Sequence, residues 1–142
     1  MTTDAIQTLP GCIQLTHQLF YFLDESKYDA LVALFEREGK WHRQGEVLAG
    51  HAQIMHAMSK RPTTQRIRHV ITNSFIESQS QDMVHLVAYM VAYRFDDGSL
   101  HVGPIEITQP SHLSLVRVAM RQTDGDWKIA ELTLTPEFKF VR

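Results

Sequence analysis

The feature that most constrains this chain is a change of period near residue 65. Before it, apolar residues recur at helical spacing; after it, they alternate. Strand-like runs at 66–79, 83–96, 112–122 and 127–140 are rich in Ile, Val, Thr and aromatic residues, and polar stretches such as DDGS at 96–99 and TDGD at 123–126 separate them. Helices first and strands afterwards define an α+β chain, with a curved, mainly antiparallel sheet and the helices packed on one side of it.

The first half supplies three helices. Residues 11–25, GCIQLTHQLFYFLDE, are apolar all round from Leu19 to Leu23, as a buried helix requires, and Thr8 before Leu9 and Pro10 is a start signal. A second helix is expected over 28–37, and a third over 51–60, stopped by Pro62. KWHRQGEVLAG between them reads as a hairpin turning at Gln44 and Gly45. Residues 100–110, with Gly103, Pro104 and Pro110, read as a long loop of the kind that serves as a lid.

Composition narrows the function classes. At 142 residues the chain is expected to form one domain over 1–142, and 44% hydrophobic with 21% charged residues is ordinary globular usage. A formal net charge of −2 argues against nucleic acid as a partner, and Lys60, Arg61, Arg66 and Arg68 read as a solvated strand edge. A single cysteine, Cys12, offers neither an internal disulfide nor a thiolate metal cluster, so a reducing, cytoplasmic setting is expected. MTTDAIQTLP lacks the basic start and apolar core of a signal peptide, and no apolar run suits a membrane span, so no membrane partner is expected.

The run RIRHVITN at 66–73 poses the chemical question. Strand alternation puts Ile67, His69, Ile71, Asn73 and Phe75 on one side and Arg66, Arg68, Val70, Thr72 and Ser74 on the other. The greasier side therefore carries a histidine and an asparagine. A buried polar group without a partner costs about 1–3 kcal/mol, so each needs a hydrogen bond, a water or a ligand. His69 is either a core histidine bonded to backbone or a proton-transfer group, and Asn73 either knits the strand to a loop or bonds a ligand oxygen. His112 on the next-but-one strand, with Tyr89 and Tyr93 between, extends the set of candidate ligand contacts.

The strand at 83–95 bears on assembly. Val84, Leu86, Ala88, Met90 and Ala92 oppose Met83, Val87, Tyr89, Val91, Tyr93 and Phe95, so neither face suits water. Helices can cover one face only; a second copy in a two-fold dimer is expected on the other. No HExxH, GxSxG, GxGxxG or phosphate loop occurs, and His51 and His56 are five apart, off the one-face spacing of a metal pair, so no metal or cofactor is expected.

Taken together, FLDESKYDALVALFEREGKWHRQGEVLAGHAQI, RHVITN and GDWKIAELTL resemble the SnoaL-like branch of the nuclear-transport-factor-2-like superfamily. The resemblance spans nearly the whole chain and implies a cone-shaped fold whose helices and inner sheet face enclose a pocket. The branch is similar to scytalone dehydratase, bile-acid 7α-dehydratase and polyketide cyclases. It implies a small, mostly apolar cyclic ligand and a cofactor-independent dehydration, isomerisation or cyclisation. His69 matches the catalytic histidine of the dehydratase-like members, and Asp24 their active-site aspartate, with Tyr21 as its neighbouring tyrosine. Asp24 could otherwise cap the helix starting near Tyr28 or face water. Trp41 and Trp127 read as cone wall, Trp41 being a candidate ligand contact as well. Those relatives carry a second acid or base on the strand corresponding to 83–95, where this chain offers Tyr93 or Arg94, and His112 is the substitute from the neighbouring strand. The alternative implied by other relatives is a non-catalytic ligand-binding or accessory module, such as an oxygenase small-subunit-like partner.

Overall fold

The computed structural model describes residues 3–43 and 45–141, with side chains from Thr8 onward. Helix α1 (Thr3–Asp24) leads to α2 (Tyr28–Ala33), strands β1 (Phe35–Arg43) and β2 (Glu46–Ala49), α3 (Gly50–Ser59), and then β3 (Arg66–Gln79), β4 (Val84–Phe95), β5 (His112–Thr123) and β6 (Asp126–Lys139). The six strands form one curved, unclosed sheet in the order β2-β1-β6-β5-β4-β3. All neighbours are antiparallel except β1 and β6, which run parallel.

The inner face is a set of apolar rows fixed by register. Leu48, Trp41, Leu132, Val118, Leu86 and Ile76 pair in sequence across all six strands, and each is buried. Leu19, Phe20 and Leu23 of α1 and Ile54 and Met58 of α3 close over these rows. At about 25 cal/mol per Å² of apolar surface removed from water, this layer is the main stabilising contribution.

Two boundaries and one strand register depart from the sequence expectation. Helix α1 does not start at Thr8 but runs through Pro10, because Leu9 and Ile13, one turn apart, both pack on the core and hold the turns around the proline in line. The expected helix over 28–37 stops at Ala33: the carbonyl of Leu34 accepts the N–H of Ile129, and Phe35 pairs with Ile129, so the sheet captures the segment. In the β1–β2 hairpin Gly45 has φ of 77°, as a tight turn needs, whereas Gln44 lies outside the described residues.

The third departure is in β3. The register shifts between Thr72 and Phe75, and Asn73 there has φ of 57°, a conformation asparagine tolerates better than most residues. One extra residue reverses the alternation beyond it. Ile76 is therefore buried, while Asn73 and Phe75 are exposed and leave the face that carries Ile67, His69 and Ile71.

The C-terminus of α1 sets the position of its last residue. Ser26 has φ of 58°, the N–H of Lys27 bonds the carbonyl of Phe22 at 2.8 Å, and the N–H of Ser26 bonds that of Leu23. This left-handed cap ends the helix at Asp24. Serine is strained there, so Ser26→Gly is expected to stabilise the protein by about 0.5–1 kcal/mol, read as a higher denaturant midpoint; an unchanged or lower midpoint would contradict the strain.

Candidate functional site

Asp24 is an acid in the last turn of a helix, where the dipole disfavours it by about 0.3–1 kcal/mol. What holds it there is His69. The backbone N–H of His69 donates to Asp24 Oδ2 at 2.9 Å, and Nδ1 of its ring lies 2.5 Å from Oδ1. Both side chains are about 95% buried. One carboxylate thus takes both donors of one residue. Nδ1–H donating to Asp24 leaves Nε2 unprotonated in the neutral ring, with no hydrogen-bond partner among the described residues. Phe20, one turn before Asp24, packs its ring 5.2 Å from the imidazole, and Arg61 covers the helix end by donating to the carbonyl of Leu23 at 2.8 Å.

Register extends the site along the inner face. His69 pairs with Ala92, and Ala92 with His112, so two imidazoles share one row with a single methyl between them, about 10 Å apart at Cα. Burial pushes the His112 imidazole below its ordinary pKa, and the nearby His69 adds to the shift. Its Nδ1 lies 3.2 Å from Ser111 Oγ. Because Ala92 faces inward, Arg94 two residues on lies on the same side of β4 near the end of the strand, where Gln65 accepts its Nε–H at 2.6 Å.

Two clefts open at this end of the sheet. A cleft of about 670 Å³ is lined by residues including Arg94, Phe95, Ile107, Pro110, His112 and Phe140. A smaller one of about 220 Å³ includes Asp24, Arg66, Arg68, Leu100 and His101 in its lining. Between them lies the 96–111 loop. Arg66 ties one end by donating to the carbonyls of His101 and Gly103, and Gln109 ties the other by donating to the carbonyl of Val141.

Of the residues singled out in the sequence, Asp24, His69 and His112 come together, Arg94 lies at the cleft beside His112, and Tyr21, Trp41, Asn73, Tyr89 and Tyr93 lie elsewhere. Tyr21 is 54% exposed on the solvent side of α1, beneath the Lys27 ammonium. At 100° per residue, His17 and Tyr21 form one row and Phe20 and Asp24 the next, so only the second row faces the sheet. Tyr89 and Tyr93 are exposed on the outer face, on the opposite parity from Ala88 and Ala92. Asn73 is the bulge residue described above. Trp41 is buried against Phe35, in the row of Leu86; six residues separate Leu86 from Ala92, roughly 20 Å along β4. Ala92 and Phe20 were not among the expected site residues; Arg94 was named only beside Tyr93 for the second acid or base, although the alternation through Ala88, Met90 and Ala92 already carries it, and not Tyr93, inward.

Among the described residues there is no cluster of three or more His, Cys, Asp and Glu able to hold a metal, and no helix is long and apolar enough to cross a membrane.

The SnoaL-like domain family matches residues 10–133, and the chain belongs to that family. A protein from Novosphingobium aromaticivorans assigned as a scytalone dehydratase superposes with a TM-score of 0.78 at 16% identity, over 99% of this chain and 94% of its own. ActVI-ORFA from Streptomyces coelicolor gives 0.76 at 12% identity, over 90% and 96%. An NTF2-like protein with a cystatin-like fold, also from N. aromaticivorans, gives 0.75 at 15% identity, over 91% and 81%. At these identities the likeness concerns the fold. No curated protein matches the sequence significantly.

Proposed function

We propose that this protein binds a small, mostly apolar cyclic molecule at the wide end of its cone and moves a proton at carbon through the His69–Asp24 pair, with no cofactor. The observation that carries the reading is the double hold of Asp24 on His69, which fixes one tautomer and aims an unprotonated Nε2 away from the carboxylate. Such a nitrogen takes a proton from a carbon beside a carbonyl, and Asp24 stabilises the imidazolium that forms. The neutral His112, in the same row, donates a hydrogen bond to the developing oxyanion, and the His69 imidazolium returns the proton it took. Dehydration, isomerisation and cyclisation all use this step. A purely accessory module has no need of a buried carboxylate that holds one imidazole at two points.

The test needs no knowledge of the natural substrate. 2-Tetralone in deuterated water loses its α-proton NMR signals as they exchange, and wild-type protein is expected to speed that loss while His69→Gln does not. Equal rates with wild type, variant and buffer would remove His69 from any such chemistry.

The outer sheet face supports a second copy as partner. Val70, Phe75, Tyr89, Tyr93 and Phe138 are each between 38% and 64% exposed on or beside it. Burying them in a two-fold dimer removes an apolar patch that water disfavours. Light scattering at micromolar concentration is expected to give twice the chain mass of 16.3 kDa, and Tyr89→Glu to shift it toward the monomer; a monomeric wild type sinks the idea.

A further inference from the structure

The 670 Å³ cleft has a feature that a purely apolar ligand does not use. Arg94 reaches it from the inner side of β4, held by Gln65 through Nε, and neither of its terminal nitrogens makes a hydrogen bond among the described residues. Asp96 is its nearest counter-charge, at 3.9 Å. Lys139, the register partner of His112, lines the same cleft and has no ion pair among the described residues. Two carboxylates, Glu106 and Glu137, also line it, so the cleft as a whole is not cationic. Position decides: Lys139 pairs with His112 in the ladder and Arg94 lies on the same face two residues beyond Ala92, the other partner of His112, whereas Glu106 is on the loop and Glu137 is the residue skipped where the β5–β6 register shifts. Beyond them lie Phe95, Ile107, Pro110, Pro136 and Phe140, a wall suited to a flat ring.

We propose that this cleft takes the carboxylate of an aromatic or alicyclic acid, gripped by Arg94 and Lys139, with the ring directed toward His112 and His69. This rests on the reading of the cone mouth as a ligand site and names the class of molecule that occupies it. A guanidinium stays protonated at working pH, so Arg94 fixes and selects the ligand and transfers no proton. Its free fork matches the two oxygens of a carboxylate.

2-Naphthoate and its neutral counterpart 2-naphthamide, titrated into the protein and followed by amide NMR shifts, separate charge from shape. The acid is expected to bind at least ~10-fold more tightly than the amide at low ionic strength, a preference that shrinks as salt screens a partly exposed site. Arg94→Gln is expected to bring the ratio close to one, and Lys139→Gln to reduce it. Arg117→Gln, on the outer face and paired with Glu77, is expected to leave it unchanged. Equal binding of acid and amide by wild type, a preference that survives Arg94→Gln, or no binding of either at millimolar concentration would each overturn the proposal. The His69 tautomer, measured without ligand, tells the two readings apart. A lost Nδ1–H tautomer beside an intact acid preference contradicts the proton-transfer reading alone; the reverse contradicts this one alone.

Discussion

His69→Gln is expected to lower the protein-catalysed exchange rate of 2-tetralone by roughly 10²–10⁴-fold, the range for removal of a positioned general base. Glutamine keeps the polarity and most of the volume of the ring and still offers a donor to Asp24, so the fold should survive. What it lacks is a nitrogen lone pair able to take a proton near neutral pH. Asp24→Asn is expected to act more weakly, by about 10–100-fold, because the imidazole remains and loses its orienting partner. One carbonyl oxygen then has to serve two donors that now find one oxygen each. The ordering of the two variants is itself a check. If the Asp24 variant were as slow as the His69 variant while folded and stable, the aspartate would be as essential to proton transfer as the imidazole and more than its orienting partner.

The second large effect concerns stability at the opposite end of the cone. Trp41 is 1% exposed and stacks on Phe35 at 6.1 Å between ring centroids, with the Arg43 guanidinium 5.2 Å from its own ring. Trp41→Ala is expected to cost about 3–5 kcal/mol in chemical denaturation, the sum of lost transfer energy and the cavity left behind. Trp41→Phe is expected to cost much less. The indole Nε1–H has no partner among the described residues, and phenylalanine removes that buried donor along with some volume. Similar losses for both variants would mean that the indole N–H does have a partner, such as a buried water. Binding of a naphthalene probe should be unaffected by Trp41→Phe, since the row of Trp41 lies roughly 20 Å from that of His69 along the sheet.

The long strands were legible in the sequence because each carries a half-buried alternation over a dozen or more residues, and a one-residue slip would turn every side chain out of the core. The pairing of Asp24 with His69 was legible only through the family resemblance. Nothing local in FYFLDES marks Asp24 as inward; that depends on the left-handed cap at Ser26 and on the approach of α1 to β3. Tyr21 entered as the neighbour of Asp24 through the resemblance, but three residues before Asp24 it stands at the solvent edge of the helix, while Phe20, four before, faces the sheet. Asn73 was misplaced because a bulge adds one residue without a composition signal beyond the asparagine itself. The parity of β4 was available throughout: Ala88 and Ala92 inward place Tyr89 and Tyr93 outward and Arg94 inward. The end of α2 could not be read from periodicity, since Leu31, Leu34 and Phe35 suit a helix, and the sheet alone, through Ile129, takes Phe35 away from it.

The measurement closest to the central claim is the ring nitrogen spectrum of His69, assigned by its loss in His69→Gln and recorded where the ring carries a single proton. The double hold by Asp24 predicts a proton on Nδ1 and a bare Nε2. A proton on Nε2 instead would leave the site without a base at that position and contradict the account.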